Sequence, residues 1–133
     1  MQELLEKAHR LSRADLGAWG EQCACSYLRE QGYKILDRNW RGRGGELDVV
    51  AYDPEREALV TVEVKTRRAR LDGHFSAGTP EEAITPVKLR RLRSLLIQWM
   101  ENTQTHARRV GVDVIGVAVR GDNYAVRHLK DVS

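Results

Sequence analysis

The chain has 133 residues, with 22 Lys and Arg against 19 Asp and Glu, a formal net charge of +3 and 41% hydrophobic residues. That suits one domain whose core needs no disulfide or metal staple. No apolar run approaches the ~20 residues that span a bilayer, and the opening "MQELLEKAHRLSR" lacks an apolar h-region, so a soluble, cytoplasmic protein is expected rather than an exported or membrane one.

The elements follow in chain order. Residues 1–14 suit a short separate helix or a loose arm. "LGAWGEQCACSYLREQ" (16–31) sets Leu16, Trp19, Cys23, Tyr27 and Leu28 near helical spacing, with Asp15 as N-cap and Gly32 as stop. Cys23 and Cys25 lie ~200° apart on that helix, which argues against a disulfide or a shared metal, and the four histidines show no zinc-ligand spacing. "YKILDRN" (33–39) reads as a strand, followed by a loop "WRGRGG". "ELDVVAY" (46–52) is a second strand, "DPERE" (53–57) a turn, and "ALVTVEVKT" (58–66) a third strand. Connections this short predict an antiparallel meander. Residues 67–84 form a long basic loop with no period. "TPVKLRRLRSLLIQWMEN" (85–102) is a second helix, with Thr85 as N-cap, Pro86 at its first position and a stripe of Leu89, Leu92, Leu96 and Trp99. "RRVGVDVIGVAV" (108–119) and "NYAVRHL" (123–129) are the last two strands. The fold class is therefore α/β in the order α-β-β-β-α-β-β, a mixed sheet flanked by helices. The fourth strand runs parallel to a sheet member because a helix crossover precedes it.

Charge placed on those elements gives the feature to be explained. Period-2 alternation sets Glu46 and Asp48 on one face of the second strand, with Leu47 and Val49 on the other. In the third strand it sets Glu63 and Lys65 beside Thr61, with Val60, Val62 and Val64 opposite. If the charged faces coincide across the turn, three carboxylates and a lysine converge. Like charges in a half-dry site raise one another's pKa, and a divalent cation removes that penalty. Carboxylates are ligands that Mg²⁺ or Mn²⁺ accepts, with phosphate oxygens completing the shell. Lys65 can then orient or deprotonate a water, or steady charge on phosphorus. A cross-strand ion pair such as Asp48 with Lys65 is the structural alternative. Glu21, on the shoulder of the first helix's apolar stripe, is a further carboxylate that can reach the sheet edge, or else a surface residue. Asp113 is either a site member or a hydrogen-bonding residue of its strand, and His74 either touches phosphate or is an exposed loop histidine.

Asp48 followed by Glu63-Val64-Lys65 resembles the PD-(D/E)xK signature of restriction-endonuclease-like nucleases. "GGELD", "VEVKTR" and "AWGEQCACSYL" together resemble the YraN-like family of small bacterial proteins, similar in fold to archaeal Holliday-junction resolvases; the resemblance covers about Leu16 to Val119. It implies that Asp48 and Glu63 are metal ligands, Lys65 the catalytic lysine and Glu21 the first-helix carboxylate of the site. Glu46 would bind a second ion or tune the first. Leu47 stands where the signature has proline, which shapes the backbone and supplies no ligand. The implied activity is Mg²⁺- or Mn²⁺-dependent endonucleolytic hydrolysis of DNA, selective for branched structure, by a chain that relatives suggest is a homodimer.

Arg41, Arg43, Arg67, Arg68 and Arg70 flank the expected site, and Lys88 and Arg91, with Arg90 and Arg93, lie off the leucine stripe of the second helix, all suited to phosphate. No base-reading motif is present. Two readings stand beside the nuclease: a nucleic-acid-binding module with this fold but no turnover, and a structural protein whose charges only pair.

Overall fold

The structure, a computed structural model, describes residues 13–68, 84–120 and 123–132. Helix α1 (Arg13–Glu30) leads into strands β1 (Lys34–Gly42), β2 (Gly45–Asp53) and β3 (Ala58–Arg68); helix α2 (Pro86–Thr103) then precedes β4 (Arg109–Arg120) and β5 (Asn123–Leu129). The sheet order is β1-β2-β3-β4-β5. The first three strands are the expected antiparallel meander, β4 lies parallel to β3 across the helical connection, and β5 returns antiparallel.

Local chemistry sets the ends of the helices. Thr85 caps α2, its hydroxyl accepting from the Lys88 N–H at 3.1 Å, with Pro86 where no N–H is needed. Helix α1 ends where Gly32 takes a positive φ of 92°, with the Tyr33 N–H donating back to the Leu28 carbonyl. Asp15 is not the cap: the helix begins at Arg13, and Asp15 sits in its first turn, where a negative charge suits the helix dipole.

The helices cover opposite faces of the sheet. On one, Leu16, Trp19, Cys23 and Leu28 pack against Val49, Val60, Val62, Ile115 and Val117. On the other, Leu92, Leu95, Leu96 and Trp99 pack against Leu47, Val50, Leu59 and Val112. Strand β3 is thereby buried on both sides, which is why it reads as a continuous valine-rich run. Cys23 and Cys25 are both free buried thiols, pushed up in pKa by burial. Among the described residues no helix is long and apolar enough to cross a membrane.

Asp113 has its own partners. Fully buried, its carboxylate accepts from Arg56 Nη2 at 2.7 Å, from His128 Nε2 at 2.8 Å and from the Asp131 N–H at 3.0 Å. Burial pushes its pKa up, but these donors outweigh it and hold the carboxyl below the ordinary range. The network joins the β2–β3 turn, β4, β5 and the C-terminal segment, so Asp113 is a structural residue of its strand. Replacing it with Ala leaves Arg56 with only Asp53 and Tyr33 and takes from His128 its carboxylate partner, and is expected to cost about 3 kcal/mol in urea denaturation.

Candidate active site in the fork between β2 and β3

The β2–β3 ladder runs only from Asp53↔Ala58 to Val49↔Val62. Beyond that pair β2 stays with β1 through Leu47, Glu46 and Gly45, whereas β3 stays with β4 from Glu63 to Arg68. The two central strands diverge, and the opening lies next to Asp48 and Glu63. Asp48 bridges it, its Oδ2 accepting from the Val64 N–H at 2.9 Å where the ladder has stopped. Glu63 is buried in the fork, with Lys65 Nζ at 3.8 Å and Lys88 Nζ at 2.8 Å from the same oxygen, Oε1.

Helix α1 supplies a further carboxylate through a close approach. A Cβ on Gly20 would lie 1.7 Å from Thr66 Oγ1, so only glycine lets the helix press this near to β3. The next residue, Glu21, is thereby delivered half-buried to the fork. Asn39 faces it from β1 with a left-handed φ of 52°, between the Arg38↔Val49 and Trp40↔Leu47 pairs. With its amide NH₂ turned toward the acids, Asn39 donates to Glu21 and to Glu46, at 3.1 Å each.

The electrostatics follow from this crowding. Burial first, then the Glu63 charge, push Asp48 up to about 7, against the Val64 N–H and with help from Glu21 and Glu46. Burial also raises Glu21, opposed by Arg38 and by a hydrogen bond to the Asp48 carboxyl. Lys65 is pushed below the ordinary lysine range by burial and by the Lys88 ammonium. Lys88 is held above it because its bond to Glu63 outweighs burial.

The expected constellation is therefore assembled in part as read and in part differently. Val60, Val62 and Val64 do line the α1 face, leaving Glu63 and Lys65 to the other. In β2 the alternation breaks: Leu47 packs under α2 and Val49 under α1, so they do not share a face. The break falls opposite the left-handed Asn39, which local periodicity did not anticipate. Glu46 points its oxygens at Arg41 (3.3 Å) and Asn39. Lys88, expected to face phosphate, is instead turned to Glu63, nearer to it than Lys65 is. Asn39 and the inward turn of Lys88 were missed by sequence reasoning; the tolerance of asparagine for left-handed backbone was the one available signal for the former.

Among the basic residues, Arg43 lies on the β1–β2 turn, whose backbone is clamped to α2 by Gln98: Arg43 N–H donates to Oε1 at 2.9 Å and Nε2 donates to the Arg43 carbonyl at 3.2 Å. Arg43, Arg90 and Arg93 line one open cavity of about 510 Å³. The Arg91 stem lies beside Gly45. Arg67 and Arg68 continue β3 beyond Lys65, and Arg67 Nε is buried without a hydrogen-bond partner among the described residues. Arg70, His74 and residues 1–12 of the expected N-terminal helix or arm lie outside the described residues, and its last two residues, Arg13 and Ala14, already belong to α1.

The donor set is all oxygen, which fits a hard divalent cation. Among the described residues no three His, Cys, Asp or Glu side chains stand in an arrangement that closes round an ion, so the carboxylates are gathered but not caged.

A model of the uncharacterised protein family UPF0102 matches residues 20–117. A UPF0102 protein of Rhodococcus opacus is 43% identical over 125 residues, covering 93% of this chain and 98% of that protein. One of Pelobacter propionicus is 39% identical over 129 residues, covering 96% and 89%. One of Mycolicibacterium smegmatis is 45% identical over 123 residues, covering 92% and 95%. The matched span includes Glu21, Asn39, Asp48, Glu63, Lys65 and Lys88.

The Asp48 carboxyl gives a signed pH dependence. Its pKa rises from 3.8 to about 7 on folding, so the native state binds the extra proton between those values and stability falls as pH rises through that window. Without divalent ions the thermal midpoint should drop between pH 5 and pH 8. Asp48→Asn, which keeps an acceptor for Val64, should flatten that drop and raise the midpoint at pH 8 by roughly 5 °C. An unchanged pH profile would assign the proton to another group.

Proposed function

The chain belongs to the UPF0102 family, and we propose that it is a divalent-cation-dependent nuclease of the restriction-endonuclease-like class, cutting phosphodiester bonds of branched DNA. The observation that carries this reading is the gathering of Asp48, Glu63 and Glu21 in a strand fork with Lys65 beside them, where burial first and the neighbouring acids second lift Asp48 to about 7. Buried carboxylates set beside one another are costly on their own, and a divalent cation among them offsets that cost.

Asp48 and Glu63 are the residues that would hold Mg²⁺ or Mn²⁺, with Glu21 at the margin. When bound, the ion supplies Lewis-acid polarisation of a phosphate oxygen and acidifies a water. The remaining work falls to the chain. Lys65, its ammonium already weakened by burial, exchanges a proton with the attacking water or steadies charge gathering on phosphorus. Asn39 fixes Glu21 and Glu46 in place, and Glu46, engaged by Arg41, tunes the field. Arg67 continues β3 beyond Lys65 and so carries a guanidinium, a group suited to phosphate oxygens, on the strand that bears the site. The clamped turn presents Arg43 beside Arg90 and Arg93 on the outer side of α2, where a backbone contact holds nucleic acid without reading bases.

A second reading, a nucleic-acid-binding module without turnover, has in its favour the hold of Lys88 on Glu63 and the open arrangement of the acids. Cleavage assays on branched DNA separate the two. Under the nuclease reading, Asp48→Ala, Glu63→Ala and Lys65→Ala each lower Mg²⁺- or Mn²⁺-dependent cutting by more than about 100-fold and leave DNA affinity within about threefold. Wild-type protein that binds but never cuts, across metals and substrates, would establish the module instead. Replacing Arg67 and Arg68 together by Ala should weaken binding to all sequences and lower the slope of log K against log salt by about 2.

A further inference from the structure

Lys88 occupies an unusual place. It lies in the first turn of α2, a turn with no acidic residue, where the helix dipole disfavours a cation. Its main chain is fixed, because its N–H is the donor to the Thr85 cap. Its ammonium nevertheless reaches across to the buried Glu63, at 2.8 Å from Oε1, closer than Lys65 on the same oxygen at 3.8 Å. The Lys88 side chain is 29% exposed and that of Glu63 only 8%, so the contact spans from the rim of the fork to its floor. Glu63 has a nearby cation with or without Lys88.

We infer that Lys88 is a displaceable counter-ion of the site: it holds Glu63 Oε1 in the free protein and releases that oxygen to a divalent cation, its ammonium then turning to a phosphate oxygen of bound nucleic acid. The inference rests on the reading of the fork as a cation site. Lys88 competes with any ion for Oε1, because an ammonium at hydrogen-bond distance and a doubly charged ion on one carboxylate oxygen repel each other. A lysine suits this exchange. Its charge is compact and its four-carbon stem swings from a fixed backbone, whereas a guanidinium would fork onto both oxygens and stay. The displaced ammonium remains at the rim, at the open side from which a phosphate approaches. Metal and nucleic acid then favour each other's binding through one side chain, a coupling that is reciprocal by linkage.

The test is a Mn²⁺ titration by calorimetry on wild type, Lys88→Met and Lys88→Arg, together with the affinity of a fluorescein-labelled DNA duplex measured with and without Ca²⁺. Lys88→Met should bind Mn²⁺ about tenfold more tightly than wild type, and Lys88→Arg more weakly than wild type. The gain in DNA affinity that Ca²⁺ gives wild type should shrink about tenfold in Lys88→Met. A merely structural ion pair predicts the opposite sign, since its loss disorders Glu63 and weakens Mn²⁺ binding. Equal or weaker Mn²⁺ affinity in a folded Lys88→Met, checked by its circular dichroism, overturns the inference and leaves the cation site standing. No Mn²⁺ binding by any of the three proteins overturns the cation site and this inference together.

Discussion

The parting of β2 from β3 after the Val49↔Val62 pair is the constraint from which the rest of the site follows. Adjacent strands normally satisfy each other's backbone groups, so a fork exposes donors and acceptors that need other partners. Asp48 answers one of them by taking the Val64 N–H. Glu63 and Lys65, two residues apart on one strand, share a face beside that opening, Nζ 3.8 Å from Oε1.

Holding acids together in that opening works against folding, and the molecule offsets it with features placed around the fork. Glycine at position 20 lets α1 lie against Thr66 and deliver Glu21. Asn39 accepts a left-handed backbone and donates to two carboxylates. Lys65 and Lys88 share one oxygen of Glu63. The two apolar layers and the Asp113 network lie outside the fork, and they supply the stability against which the acid repulsion is set.

The second helix serves both parts. Its inner face closes the core through Leu92, Leu95, Leu96 and Trp99, whose indole N–H donates to Asp37 of β1 at 2.8 Å. Its first turn brings Lys88 to the acids, and its middle holds the β1–β2 turn through Gln98. Gly42 is needed there, because a Cβ would meet the Trp40 ring at 2.5 Å and Gln98 Oε1 at 2.9 Å. Arg43 of the turn and the arginines of the helix are thus held together by that clamp.

The sequence alone determined what depends on neighbours a few positions away. The order of seven elements, the Thr85–Pro86 start of α2, the meander and the face shared by Glu63 and Lys65 all follow from periods of 3.6 and 2 and from turn chemistry. The parallel placement of β4 followed from the helix crossover before it. What packing decided could not be read that way. The break at Asn39 that separates Leu47 from Val49, the approach of Glu21 through Gly20, the reach of Lys88 to Glu63 and the burial of Asp113 with Arg56 and His128 join residues far apart in the chain. Residue patterns encode which side of an element is apolar. Where a charged side chain on the other side finds its partner is fixed only once helices and strands are pressed together, because electrostatic and steric contacts act through space.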